Sequence, residues 1–310
     1  MKRVIVLSLA LLMVISAMAL ADGVGAFSAF KSGIGARALA MGGAFVAVAD
    51  DSTAVIWNPA GLALLDDTRI GGMSTDLFGM GITHQFVGGM TTIAGFGVGL
   101  GWERASIIGN GADEAGDPTG DFSWDESTII GTFATNVMDM GLAGVNVKYY
   151  MASAPGNSAS GFGFDLGLLI NLGDMFTLGV NAADIGGSTV TWDTGTVNTV
   201  SALYKAGLAM KLIDGNLVLA ADMDFNDAGM GDAHVGIEFK VIDELALRGG
   251  VVLADEFQNV YFSAGAGINV AGLYVDAAYI LNETLGNTLI LSADFSLGSL
   301  LGGEEEPGVE

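Results

Sequence analysis

Between about residue 67 and residue 298, apolar side chains recur at every second position, separated by small, polar or charged residues. Leu289, Leu291, Ala293, Phe295 and Leu297 alternate with Ser292, Asp294 and Ser296. Leu273, Val275, Ala277, Tyr279 and Leu281 are interleaved with Asp276 and Asn282, and Leu217, Leu219, Ala221, Met223 and Phe225 with Asp222, Asp224 and Asn226. Phe96, Val98, Leu100 and Trp102 alternate with Gly97, Gly99, Gly101 and Glu103. A period of two belongs to extended strands, whose successive side chains leave on opposite faces. About fourteen such segments fit the region, which predicts an all-β chain of antiparallel strands.

The apolar face has nothing else in the chain to cover it. A soluble sandwich of a dozen long strands needs a second layer over those faces, and no helical or additional sheet segment is left to supply one. Beyond the first 21 residues no uninterrupted apolar stretch is long enough for a spanning helix. Lipid leaves no backbone polar group affordable without a partner, so strands cross a membrane only as a closed barrel. The expected fold is a transmembrane up-and-down β-barrel over 67–298 with outer-membrane lipid around it. Lys148, Lys205, Lys211, Lys240 and Arg248 fall on the inward phase, as do Glu103, Asp165 and Glu238. An arginine or lysine on the lipid face near the midplane costs about 2–4 kcal/mol. Tyr149, Tyr204, Tyr279 and Trp102 fall outward near strand ends, where aromatic belts sit.

Loop lengths are expected to alternate. Tight turns follow even-numbered segments, at 138–140, 173–174, 214–215, 243–244 and 271–272. Longer connections follow odd-numbered ones, near 108–121, 154–159, 187–200 and 227–232. That is the pattern of short periplasmic turns and longer outer loops, with both chain ends on the periplasmic side.

Composition changes the picture at the ends. Lys2 and Arg3, an apolar run from Val4 to Ile15 and the small-residue close Ala19-Leu20-Ala21 read as a cleavable signal peptide over 1–21, hence export to a bacterial outer membrane. Residues 299–310 form an acidic tail. The 310-residue chain carries a net charge of −24, which excludes the basic footprint that nucleic-acid binding requires.

Catalytic and metal chemistry find no support. The two histidines, His84 and His234, sit in different segments, without a metalloprotease or nucleophile-elbow motif. Asp222-x-Asp224-x-Asn226 begins like a calcium loop, but Asp227 stands where the turn glycine belongs and Ala233 where the bidentate glutamate belongs. Asp113, Glu114, Asp117 and Asp121 read as a solvated loop, with recruitment of divalent cations at the cell surface as the alternative. The chain is expected to be neither an enzyme nor a cofactor or metal protein.

Residues 22–66 break the alternation and are expected to fold into the lumen as a plug. Asn58 is a good N-cap and Pro59 a good first helical residue, which predicts a short helix from there to about Leu65, with Ala60 in its first turn. Arg37 requires carboxylate partners inside a barrel. Asp50 or Asp51 within the segment, or Asp276 or Asp294 on the wall, are the candidates. The inward row Gly95, Gly97, Gly99 and Gly101 provides room for the plug or a place where a strand bulges open sideways.

Gly35-Ala36-Arg37-Ala38-x-Ala40-Met41-Gly42-Gly43-Ala44-Phe45, then Ala49-Asp50-Asp51 and Trp57-Asn58-Pro59-Ala60-Gly61-Leu62, resemble the N-terminal signature of FadL-type outer-membrane barrels, most closely the PorV/PorQ-like branch. The resemblance implies fourteen strands, a lumenal hatch and a lateral opening, with Asn58, Pro59 and Ala60 matching the hatch motif. It also implies either passive transport of a small hydrophobic molecule or a PorV-like role as accessory to secretion-system proteins. The short outer loops depart from the long ones that help the fatty-acid transporter capture its ligand.

Overall fold

The computed structural model describes residues 26–112, 118–137, 141–226, 229–254, 257–283 and 285–298. The expected leader at 1–21, loop residues Asp113, Glu114 and Asp117, the turn 138–140 and the tail 299–310 lie outside them, as does the side chain of Asp121.

The strands are β1 (Arg69–Leu77), β2 (Ile82–Ile93), β3 (Phe96–Ala112), β4 (Pro118–Asn136), β5 (Leu142–Ala154), β6 (Asn157–Leu172), β7 (Phe176–Ala183), β8 (Ser188–Trp192), β9 (Val197–Val200), β10 (Leu203–Leu212), β11 (Leu217–Asn226), β12 (Gly229–Ile242), β13 (Leu245–Ala254), β14 (Asn259–Val270), β15 (Leu273–Leu281) and β16 (Thr288–Ser296). Each of β1–β7 and β10–β16 pairs antiparallel with its ring neighbours, β7 passing directly to β10. The first and last strands then meet, from Arg69↔Ser296 to Thr75↔Ile290, so fourteen strands close the barrel without a free edge.

β8 and β9 are an additional hairpin. The chain leaves β7 at Asp184, whose φ is +52°, and turns through Gly186 and Gly187, both also left-handed. β8 then pairs with the upper half of β6 at Phe162↔Thr189, while β7 pairs with the lower half from Leu166↔Ala182. Ile185 N–H donates to Phe164 O (3.0 Å) across the break.

The expected long loop at 154–159 is instead the two-residue turn Pro155-Gly156, and much of 108–121 and 187–200 is strand. Backbone at this rim satisfies its hydrogen bonds by extending the ladders instead of by open loops, and β3 and β4 reach 17 and 19 residues. The opposite end, where β1 begins and β16 finishes, is called the base below.

The outer surface carries an apolar belt that includes Leu100, Ile129, Val147, Phe162, Phe164 and Leu289, all exposed. Above Trp102 the outward phase turns polar: Arg104 pairs with Asp125. Tyr204 departs from its expected place in the belt, since it is 7% exposed and packed with Ala182, Ala202 and Phe225.

Candidate functional site: the lumenal segment and its cavities

Inside the ring lies the chain from Ala26 to Asp66. A 3-10 turn at Ser28–Ser32 stands near the rim, followed by the short helices α1 (Ala36–Ala40) and α2 (Ala54–Trp57) and a 3-10 turn at Pro59–Leu64. The helix expected after Asn58 is thus a 3-10 turn. Asn58 Oδ1 accepts from Ala60 N–H (3.2 Å), as an N-cap does.

Sequence accounts for the depth of insertion. Ala36, Ala38, Ala40, Ala44, Ala49 and Ala54 are fully buried, and their small side chains let backbone lie against the wall. The wall answers with glycine. A Cβ on Gly144 would meet the Pro59 carbonyl carbon at 2.3 Å and Ala60 N at 2.4 Å, and one on Gly167 would meet Asn58 Oδ1 at 2.1 Å. Asn58, Pro59 and Ala60 therefore occupy a groove that glycine alone leaves open on β5 and β6. Likewise, a Cβ would meet the Leu62 carbonyl oxygen at 2.6 Å on Gly97, the Leu62 side chain at 2.5 Å on Gly99 and the Val55 side chain at 3.2 Å on Gly101.

Gly95 does not belong to that row. It occupies the two-residue turn Ala94-Gly95 with φ +81° and no neighbour near its missing Cβ. Nor does β3 open sideways. Its ladder to β2 is continuous from Ile82↔Ile107 to Ile93↔Phe96, and that to β4 is regular from Gly97↔Ala134 to Gly111↔Gly120. Along the described wall, β6 instead exchanges one partner for another, β7 below and β8 above, and β11–β12 carries a register shift between Met223 and Phe225.

Arg37 is the ionic hub. Its Nη1 meets Asp50 Oδ1 (2.5 Å) and Asp51 Oδ2 (3.3 Å), while Nε and Nη2 donate in parallel to the two oxygens of Glu238 on β12 (2.8 and 2.9 Å). Asp276 is bound to Arg248 (2.5 Å), and Asp294 accepts from Ser52 N–H (3.0 Å). Of the four candidates, Asp50 and Asp51 hold Arg37, and neither wall aspartate does. Glu238, which the sequence reading did not single out as a partner, supplies the bidentate contact, the strongest form of this pair.

Other wall side chains grip the segment's backbone. Asp222 Oδ2 accepts from both Phe45 and Val46 N–H (2.7 and 2.8 Å), and Asn146 Nδ2 donates to Val55 O (2.8 Å). His234 Nδ1 lies 2.7 Å from Gly42 O, so Nδ1 carries the proton, because a carbonyl only accepts. Within the segment, Trp57 Nε1 donates to Ile34 O (2.8 Å).

Three of the larger cavities among the described residues adjoin the segment. At the base, one of about 230 Å³ is lined by Arg37, Asp50, Glu238, Arg248, Asp276 and Asp294. On the rim side, one of about 300 Å³ is lined by Leu39, Trp57, Leu203 and Tyr261 together with Lys31, Lys205, Asp224 and His234. A neighbouring space of about 110 Å³ shares Lys31, Trp57, Leu203 and Lys205 with it. Charged side chains make up most of the base lining, whereas the rim-side linings mix charged residues such as Lys31 and Lys205 with apolar and aromatic ones.

Ser32, His84 and Glu103 form a series that resembles a hydrolase triad, with Oγ···Nδ1 at 3.3 Å and Nε2···Oε1 at 2.9 Å. The Ser32 hydroxyl, however, donates to Ala29 O (2.6 Å), and His84 is fully buried with Phe30 stacked on its ring. That geometry ties the 3-10 turn to the wall and leaves the imidazole no free proton path to a substrate. Among the described residues no group of three or more metal-ligating side chains comes together.

No family model matches the chain, and no curated protein matches it. Solved structures do resemble it in fold. The toluene transporter TodX of Pseudomonas putida superposes with a TM-score of 0.65 at 16% identity, over 86% of this chain and 99% of that one. The toluene transporter TbuX of Ralstonia pickettii gives 0.62 at 15%, over 86% and 98%. A FadL homologue of Pseudomonas aeruginosa gives 0.61 at 13%, over 84% and 98%.

Proposed function

We propose that the protein is an outer-membrane conduit for small hydrophobic molecules, its lumen plugged by its own N-terminal segment. The observation that carries this reading is the cavity of about 300 Å³ on the rim side, to which Leu39, Trp57, Leu203, Val252, Tyr261 and Ile280 give apolar wall, floored by a segment that closes the lumen beneath it. The apolar belt and closed ladder fit a lipid surround, since each of the fourteen ring strands is paired on both sides. The charged base cavity is a poor destination for a hydrocarbon, so passage straight through the lumen is disfavoured. The break between β7 and β8, crossed by the Ile185–Phe164 hydrogen bond, is the place in the wall suited to a sideways exit.

Uptake of labelled toluene by cells that express the barrel, compared with cells that lack it and with cells carrying a deletion of Asn58-Pro59-Ala60, tests the proposal. Faster uptake with the intact barrel supports it, and a rate equal to that of cells without the barrel refutes it. The PorV-like alternative rests on the N-terminal signature alone, whereas the solved structures named above include two toluene transporters.

A further inference from the structure

The smaller rim-side cavity has a chemistry that a conduit for bare hydrocarbons does not need. Its volume, about 110 Å³, approaches the roughly 150 Å³ of an engineered cavity that takes up benzene. Phe27, Phe30, Ile56, Trp57, Ile130 and Tyr150 supply apolar and aromatic walls. Yet two of its lining side chains each hold a buried polar atom without a partner: Thr128 Oγ1, in a residue 1% exposed, and Asn181 Oδ1, in a residue 3% exposed. An unpaired buried polar atom is costly, and a site containing one discriminates strongly between a ligand that pairs with it and an analogue that lacks the group.

The charged side chains that line the cavity balance formally, three lysines (Lys31, Lys148 and Lys205) against three carboxylates (Glu103, Asp165 and Asp184). Lys148 Nζ sits 2.8 Å from Asp165 and 2.9 Å from Asp184, His84 pairs with Glu103 at 2.9 Å, and Lys205 pairs with Asp224 at 2.6 Å. A charged guest would unbalance this set, whereas a neutral one with a single hydroxyl would not.

We propose that this cavity is a binding site for a small neutral aromatic alcohol of the phenol class. The ring lies against Phe30, Trp57 and Ile130, and the hydroxyl donates to Asn181 Oδ1 while accepting from Thr128 Oγ1. The proposal rests on the conduit reading for the direction from which a guest arrives and names the chemistry that reading leaves open.

The test is calorimetric titration of the mature barrel in lipid nanodiscs with phenol, toluene and benzoate, with partition into empty nanodiscs subtracted. Toluene replaces the hydroxyl by a methyl group of similar size. Phenol is expected to bind about tenfold more tightly than toluene, ~1.4 kcal/mol, and benzoate more weakly than phenol. Thr128→Val removes an unpaired hydroxyl without changing shape, so folding is not at risk. Combined with Asn181→Leu, it should abolish the phenol lead and leave toluene binding in place, while Thr128→Ser should retain the lead. Toluene or benzoate binding as tightly as phenol to the unaltered barrel, a lead that survives the double substitution, or parallel loss of phenol and toluene overturns the proposal. A phenol lead without faster toluene uptake by cells would sink the conduit and leave the site standing; fast toluene uptake without a phenol lead would do the reverse.

Discussion

Replacing Arg37 by methionine should loosen the lumenal segment without opening the barrel. The stem that lies against Phe45, whose ring centre is 5.2 Å from the guanidinium, is largely preserved, but three carboxylates lose their cation. The losses differ in weight. The Asp50 side chain is 33% exposed and rehydrates, and Asp51 keeps the hydroxyl and N–H of Thr53 at 2.5 and 2.9 Å. Glu238 is 2% exposed and loses both parallel hydrogen bonds, retaining Arg248 Nε at 2.6 Å. Stripping one partner from a buried ion pair costs about 3–5 kcal/mol, and the surviving Arg248 contact places this case near the lower figure. At ~1.4 kcal/mol per factor of ten, segment opening should rise by roughly a hundredfold. Amide hydrogen exchange of the barrel in micelles reads this directly. Amides of Leu39, Val48 and Trp57 should exchange roughly a hundredfold faster than in the unaltered protein, while those of β4 and β5, which hold no partner of Arg37, keep their protection. A second substitution, Glu238→Met, removes the stranded charge and should restore much of the protection. Unchanged exchange in Arg37→Met, or a double variant looser than the single one, would refute the assignment of Arg37 as the tether.

Two further substitutions probe the groove. Gly144→Ala places a methyl group 2.3 Å from the Pro59 carbonyl carbon, against backbone that has no rotamer with which to yield, so residues 58–60 should become accessible to protease in the folded barrel. Gly109→Ala, with nothing within 4 Å, should remain protected, and equal digestion of the two variants would dismiss the groove. Asn58→Ala removes the cap on Ala60 and the hydrogen bonds to Val46 O and Leu168 O (2.9 and 3.0 Å). It should lower the segment's opening free energy by about 1–3 kcal/mol in the same exchange experiment, and no change would show that Asn58 is incidental.

Alternation along the chain made the strands legible because it is a local property that survives without knowledge of the partners. β15 starts where the pattern places it, and β16 within a residue. The short hairpin β8–β9 was not legible as strand. Its signal was Asp184-Ile185-Gly186-Gly187, which looks like a loop and is in fact a bend between two ladders. Parity alone also put Gly95 on the glycine face, although a glycine after Ala94 serves equally as the left-handed residue of a turn.

The lumenal contacts were legible by half. Asp50 and Asp51 lie within fourteen residues of Arg37, and proximity in sequence suggested them. Glu238 and Asp222 come from strands some two hundred residues away, and their reach depends on how deep the segment sits, which no spacing encodes. Gly144 and Gly167 carried a usable sign: inward-phase glycines on two neighbouring strands leave a trough that some other backbone must fill.

The central claim is that the outward face of the ring meets acyl chains while the N-terminal segment stays dry inside it. Single-tryptophan barrels in vesicles of lipids brominated along the acyl chain test it, with the other three tryptophans replaced by phenylalanine. Trp102, on the outward phase of β3, should be strongly quenched, and Trp57, 5% exposed and bonded to Ile34 O, should not. Quenching of Trp57 as strong as that of Trp102, or none at either, would contradict the account.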